Sequence, residues 1–544
     1  MDDSIYTNIM TGIEDLLNIE LSYITNRNSV KITGIDHVAH RVNVIRGEEE
    51  ININFDRFRA VANHLSKGAL VDINDALGSG GNDRSAIETI IAHLPHVGYY
   101  KGNTQYNKSP QKKIAWFQDE IHQIGSMLDA SNILHIPLKS TIKKSFSLPK
   151  PFLLLAGISG TGKTRFVREQ ATAHSKGDLS NYCLIPVRPD WHEPSDLLGY
   201  ISRIGAQGSR YIVTDLLLFV VQSWLDAAEL DSVTADELVC KDPSLMIPYW
   251  LCLDEMNLAP VEQYFADYLS VVETREWKDN RYSCDALLKA VVLEKQLDSE
   301  GQATLRKELK LEGAKFEGLW LNFLKHGISL PPNLIVAGTV NMDETTHGFS
   351  RKVIDRAFTI DFGVFYPNDF SGYFISSSKK KPNTLNFPLL THASKNDLSG
   401  VIVDPEGKKS IVFLTAINAI LKDTPFELAY RALNELLLAV VSFNPKDETE
   451  LQAVWDDFLM SKVLPRIDGD GDKLKSESDE VSLLTQLSAE LTTQFSDILA
   501  PNQRPDLLRV NADGSVLSVS CRSVQKLAWM QARLATNGFT SFWP

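Results

Sequence analysis

Cysteine is sparse and unpatterned: Cys183, Cys240, Cys252, Cys284 and Cys521 are the five in 544 residues, with no C-x-x-C pair among them. That spacing excludes a disulfide framework or a zinc knot and points to a reducing compartment. No stretch approaches the roughly 18 uninterrupted apolar residues of a membrane helix. The opening MDDSIYTNIM lacks the basic-then-apolar pattern of a signal peptide. Together these features lead to the expectation of a cytoplasmic protein. Positive charge is not in excess either. With 55 Lys+Arg against 69 Asp+Glu the net charge is −14, so any nucleic-acid contact must come from a local basic patch. No internal repeat is present. What remains is ordinary globular composition, 43% hydrophobic and 23% charged, in a chain long enough for two to four domains.

Against that background one stretch stands out, PFLLLAGISGTGKTRFVREQAT from Pro151 to Thr172. The apolar run Phe152 to Ala156 suits one buried strand. Gly157 to Thr164 then matches G-x-x-x-x-G-K-[ST] at every fixed position, and a helix-forming run follows. Glycines at 157, 160 and 162, with Ser159 and Thr161 between them, let backbone N–H groups curl inward around a phosphate at the positive end of a helix. Lys163 supplies a point charge to the outer phosphates, and the Thr164 hydroxyl can ligate Mg²⁺. The pattern predicts a phosphate loop in a doubly wound α/β sheet.

Further strands are expected at Cys183–Val187, Ile247–Leu253, Leu334–Val340 and Phe358–Phe362. The third of the five runs into Asp254-Glu255, the hhhhDE pattern of a Walker B segment. Asp254 can hold Mg²⁺ and Glu255 can polarise the attacking water. Two adjacent carboxylates at a strand end would be costly in a core unless solvated or metal-paired. The fourth strand ends in Asn341-Met342-Asp343-Glu344, where Asn341 can position the water with Glu255. In SRKVIDRAF, Arg351 and Arg356 flank a short helix. Either can act as a finger toward a neighbouring subunit's nucleotide, with Arg356 preferred, or pair with Asp355 or Asp361 at home.

Around this core the chain reads as four parts. Residues 1–118 form an α+β N-terminal recognition or adaptor domain. It shows a helix to about residue 28, an extended stretch over Val30–Val44, helices at Phe55–Leu65, Val71–Leu77 and Arg84–Leu94, and a hairpin over Val97–Lys101 and Lys113–Trp116. Three helices and a hairpin is the order of a winged-helix module, in which Asn82, Arg84, Ser85 and lysines near 108–113 would face DNA. The alternative is a helical protein-docking domain. Residues 119–148 read as a linker helix, 149–365 as the nucleotide-binding core with a solvated, charged insertion at 274–330, and 366–544 as a helical lid and C-terminal region. Arg431 in that lid either reaches the phosphates or is a surface charge.

GISGTGKT, LDEMNLAPVEQYFADYLSVVETR, GTVNMDETTHGFSRKVIDRAF and KVLPRIDGD together resemble McrB-like AAA+ proteins, the motor subunits of modification-dependent (5-methylcytosine-specific) restriction systems. The resemblance spans roughly residues 145–544. It implies an AAA+ P-loop NTPase of the ASCE type, a ring that is usually hexameric with ATP or GTP and Mg²⁺ at subunit interfaces, and a separate McrC-like nuclease partner in antiphage defence. It also implies DNA contact through the N-terminal domain or the ring pore. In McrB itself the segment after the fourth strand reads Asn-Thr-Ala-Asp and is linked to GTP preference. Here Asn341 is kept and the Asp three residues on is not, which makes ATP a serious candidate. No D…E-x-K nuclease triplet sits in a strand context, so the chain is not expected to cut DNA itself. The rival readings are a MoxR- or dynein-like ATPase remodelling proteins without a nuclease, and a nucleotide-gated scaffold that hydrolyses poorly.

Overall fold

The computed structural model describes every residue except 1–3, 24–28, 48, 66–72, 78–82, 102–111, 117–121, 130–144, 176–178, 205–208, 279–280, 343–347, 368–379, 476–480, 512–513 and 544. The chain divides into two compact units, Met1–Lys143 and Lys144–Pro544. Among the described residues no helix is long and apolar enough to cross a membrane.

In the first unit a helix, Ser4–Asp15, precedes an antiparallel meander of four strands, Glu20–Ser22, Ser29–Asp36, Arg41–Arg46 and Glu49–Asn54. The helix is shorter than its periodicity predicts, and the extended stretch is part of a larger sheet than a hairpin. Val42 and Val44 alternate with more exposed neighbours, the signature of a sheet buried on one face. They share a core with Ile9, Ile13, Phe58, Ile87, Ile90 and Ile91. Helices Phe55–Leu65, Ile73–Leu77 and Arg84–Ala92 follow, then the antiparallel pair Val97–Lys101 and Lys112–Trp116.

That order of elements matches the expectation, but the third helix is poorly suited to reading a groove. Its residues Ala86 to Ala92 are all buried, Glu88 included. Only Arg84 and Ser85 are partly exposed, and the preceding Asp83 is held by a bidentate Arg57 at 2.6 and 2.8 Å. Asn82 and Lys108 lie outside the described residues. The linker helix expected over 119–148 is corrected where the chain is described. Residues 122–129 form turns, with Gly125 at φ +80°, and end in a strand, Leu128–Asp129, parallel to Val97–Lys101. His122 Nε2 sits 2.9 Å from the Val97 carbonyl, and Ser145–Ser147 is a strand pairing with Thr384–Asn386.

The second unit is built on a five-stranded parallel sheet. Its strands are β1 (Phe152–Gly157), β2 (Tyr182–Pro186), β3 (Tyr249–Asp254), β4 (Leu334–Asn341) and β5 (Phe358–Asp361), in the order β2-β3-β4-β1-β5. β1 and β4 are buried at every residue. A parallel strand covered on both faces reads as a continuous apolar run, which is why FLLLAG and LIVAGTVN were legible. β2 lies at an edge and leaves Leu184 exposed. The register pairs Asn341 with Gly157 and Pro186 with Asp254, so every strand delivers its carboxyl end to one rim of the sheet.

The insertion at 274–330 is not a solvated excursion. It forms a hairpin, Glu276–Lys278 with Arg281–Ser283, and helices Ala290–Lys295, Ser299–Glu308 and Glu317–His326. Leu287, Leu293, Leu305, Leu309, Trp320 and Phe323 join the main core, each fully buried large side chain stabilising by roughly 1.5–3 kcal/mol. Charged residues cover the outer face and mask this in the composition.

The region after residue 366 is helical only in part. Helices Lys408–Leu421, Tyr430–Phe443 (called α3 below), Glu448–Phe458 (α4), Leu483–Gln494 and Arg522–Asn537 are joined by strands Arg504–Val510 and Val516–Val519, and by Asp468–Asp470 paired with Phe539–Ser541. Three arginines and three aspartates form its buried centre. Arg504 reaches Asp456 at 2.6 Å and also Asp457; Arg522 binds Asp457 and Asp506, and Arg509 binds Asp506, all at 2.8 Å. Lys526 ties this centre to the end of β5 through Asp361 at 2.8 Å. Burial alone would raise the Asp456 carboxyl, but Arg504 and the amides of Arg522 and Ser523 outweigh it and hold it below the usual range.

Arg504→Met leaves two buried carboxylates short of a partner and should cost about 3–5 kcal/mol, measured as a lower urea midpoint of this unit. Asp456 contributes fully above its unfolded pKa and loses that contribution as pH falls through its lower folded value. The variant should therefore lose less stability on acidification than the wild type.

Candidate active site at the carboxyl rim of the sheet

Gly157 to Thr164 connects β1 to helix α1 (Lys163–His174). Gly160 and Gly162 have φ of +79° and +86°, a region that side-chain-bearing residues avoid. A Cβ at either would meet nothing within 4 Å, so backbone angle rather than crowding requires glycine here. Ser159 and Gly160 are exposed, while Lys163 is buried. Lys163 Nζ donates to the carbonyls of Gly157 at 3.0 Å and Ile158 at 2.8 Å. Thr161 Oγ1 donates to Ile158 at 2.9 Å. The loop is thus curled about its own lysine, at the amino end of a helix of three turns.

At the rim beside it, one carboxylate oxygen gathers two hydroxyls. Asp254 Oδ1 accepts from Thr164 Oγ1 and from Thr339 Oγ1, each at 2.7 Å. Thr339 Oγ1 in turn accepts the Glu255 amide at 2.9 Å. Glu255 Oε1 accepts from Asn341 Nδ2 at 3.1 Å, and Asn257 Nδ2 donates to the Asn341 carbonyl at 3.0 Å. Thr164 and Asp254 therefore present hard oxygen donors side by side, the chemistry Mg²⁺ takes. Their fit to that ion rests on this shared 2.7 Å contact.

Glu255 has φ +54° and ψ +50°, a left-handed conformation costing a non-glycine residue about 1–2 kcal/mol. Strain of that size persists where the surroundings fix it. Here the Thr339 hydroxyl holds the amide, and Leu258 N donates to the Glu255 carbonyl at 2.9 Å. Behind it Gly338 makes room for Met256, whose sulfur would lie 2.4 Å from a Cβ at 338.

The arginines separate clearly. Arg356 lines a cleft with Lys150, Pro151, Glu273 and Arg431, at the amino end of β1. The six residues of β1 put about 20 Å between that cleft and the glycine loop. Arg356 Nη1 donates to the Lys352 carbonyl at 2.9 Å, and its Nε has no hydrogen-bond partner. Neither Asp355 nor Asp361 takes it: Asp355 lies 3.3 Å from Arg466, and Asp361 is bound by Lys526. Arg431 pairs with Glu273 at 3.2 Å in the same cleft, so within one chain it does not reach the loop. Arg351 donates to the Pro425 carbonyl and lies over the Phe426 ring at 5.0 Å. It borders a cavity of about 470 Å³ with Asn257, Asn341, Arg466 and Trp543. That cavity opens beside Asn341 but not onto the glycine loop.

The structure thus brings Lys163, Thr164, Asp254, Glu255 and Asn341 to one rim and leaves Arg356 at the opposite end. Asp343 and Glu344 lie outside the described residues. Thr339 was overlooked in the sequence. The available signal was its place two residues before Asn341, on the same face of one strand. Asp196, downstream of β2, accepts from the amides of His192 and Glu193 at 2.8 and 2.9 Å. It serves as a local cap.

Two comparisons with known proteins bear on the chain. A family model described as a domain of unknown function (DUF8727) matches residues 395–539, which include the buried arginine–aspartate centre. The chain is also similar to the type II restriction enzyme NmeDI of Neisseria meningitidis serogroup C, 27% identical over 155 residues. That match covers 26% of this chain and 44% of the enzyme, so the chain spans less than half the length of this relative.

Thr339→Val preserves shape but removes the hydroxyl between Asp254 and Glu255. It should cost about 1–3 kcal/mol and release the Glu255 amide, read as faster hydrogen exchange at that position. Unchanged exchange would show that the left-handed turn is held by other contacts.

Proposed function

We propose that the chain is a nucleoside-triphosphate hydrolase, the motor subunit of an antiphage DNA restriction complex that drives a separate McrC-like nuclease. The observation that carries this reading is the Asp254 carboxylate shared by Thr164 and Thr339, with Glu255 and Asn341 beside it at the rim next to the glycine loop. The sheet order β2-β3-β4-β1-β5 supports an AAA+ P-loop core, in which the loop strand lies next to the strand carrying the polar sensor. Similarity to a restriction enzyme supports a place in restriction.

In this reading Lys163 and the amides of Gly157 to Thr164 hold the phosphates of ATP or GTP. Thr164 and Asp254 would hold Mg²⁺, which neutralises charge on the transferring phosphoryl group when bound. Glu255 accepts a proton from the attacking water, and Asn341, hydrogen-bonded to that carboxylate, fixes its direction. Arg356, remote from its own loop, serves the site of an adjacent copy in a ring.

The burial of helix Arg84–Ala92 favours one rival on a single point, a protein-docking N-terminal unit in an ATPase that remodels proteins. Steady-state hydrolysis of ATP and GTP, with and without plain and modified DNA, separates the two. Stimulation by DNA is the expected result, and hydrolysis indifferent to DNA would favour the remodeller. Glu255→Gln should lower kcat by about 10²- to 10⁴-fold while nucleotide binding persists. Retained turnover would remove Glu255 from the role of base.

A further inference from the structure

The short turn that carries Arg356 is held in an unusual way. Helix α2 (Arg351–Ile354) passes through Asp355, Arg356 and Ala357 into β5, and the carbonyls of this turn face two ammonium groups, one buried and one partly buried. Lys462 Nζ donates to Ile354 at 3.3 Å, to Ala357 at 3.4 Å and to Asp355. Lys150 Nζ donates to the same Asp355 carbonyl at 2.8 Å. One carboxylate bridges both, and Lys150 also lies 3.8 Å from Glu273. Glu435 Oε2 lies 2.5 Å from Lys462, and Oε1 binds Lys150.

The three residues come from different parts of the unit. Lys150 stands two residues before β1, the strand that ends in the glycine loop. Glu435 is on α3, and Lys462 is in a π-helical turn, Leu459–Val463, continuing α4. Such turns are rare and often accompany function; this one directs the lysine inward. Lys462 and Glu435 are buried, at 4% and 6% exposure. Burial pulls the Lys462 ammonium down to about 7, against the upward pull of Glu435. A lysine placed there to stabilise the fold would be better replaced by an apolar side chain. Its ammonium is divided between the Glu435 carboxylate and the peptide carbonyls flanking Arg356.

We infer that Lys462, Glu435 and Lys150 form a clamp that positions Arg356 for the site of the neighbouring copy, coupling the helical region and the glycine-loop strand to the finger. Lys462 is a positioning residue, since it touches neither the loop nor the Asp254–Glu255 pair. The inference rests on the reading of Arg356 as acting in trans.

The test pairs full-length variants in mixed assemblies and reads hydrolysis. Lys462→Met should lower kcat by about 100-fold, the usual effect of a misplaced group, with binding of a fluorescent ATP or GTP analogue unchanged. Mixed with Glu255→Gln, which keeps a sound finger, it should regain activity. Mixed with Arg356→Ala it should not, because every interface then lacks a presented finger. Recovery in that last mixture would place the Lys462 defect in its own nucleotide site and overturn the clamp. So would full activity of Lys462→Met alone.

The reading beneath it fails separately. If Arg356→Ala is fully active or does not complement Glu255→Gln, the finger assignment is wrong and the clamp falls with it. The same holds if the wild-type chain hydrolyses neither nucleotide. If Lys462→Met does not fold, Glu435→Gln, which keeps the shape and removes the balancing charge, takes its place in the same mixtures with the same expected pattern.

Discussion

One oxygen atom, Asp254 Oδ1, organises the carboxyl rim of the parallel sheet. It ends β3, takes a hydroxyl from the helix after β1, and takes another from β4. Two strands and a helix that are distant in sequence are thus keyed to a common depth at one rim of the sheet. The second hydroxyl also fixes the amide of Glu255, so its left-handed backbone is tied to the same node. Displacing Asp254 would release Thr164 and Thr339 at once, and with Thr339 the hydroxyl that holds the Glu255 amide.

The parts legible in the sequence were those whose physics is local. β1, β3 and β4 are continuous apolar runs because both faces are covered, and the glycine loop keeps its residue types at fixed spacing because its backbone must take positive φ. Asp254, Glu255 and Asn341 were found because they follow such runs directly. Thr339 was not, since its role depends on Asp254, 85 residues away, and a threonine inside a strand looks like any other. The insertion was misjudged for a related reason. Its leucines are spaced among charges, and burial depends on a core that composition does not display.

The cations were the least legible. Arg351, Arg356, Arg431 and Lys462 are all plausible phosphate ligands by type, and only position distinguishes them. Arg431 is engaged by Glu273, Arg351 by the Pro425 carbonyl and Phe426, and Lys462 by peptide carbonyls. Long flexible side chains can reach many partners, so neighbouring residues in sequence do not select one. Helix Arg84–Ala92 gives the opposite lesson: its order among the elements was correct, but seven consecutive buried residues decide what it can touch.

The arginine–aspartate centre of the second unit has an order in time as well as in space. Asp361, Asp456 and Asp457 precede Arg504, Arg522 and Lys526 in the chain. During synthesis these three carboxylates emerge first and stay hydrated until those cations follow, since burial without them would be prohibitive. The end of β5 therefore cannot settle against the helical region early. The rim bearing Asp254 can assemble on the nascent chain, while the Lys526–Asp361 contact at the last strand closes only afterwards.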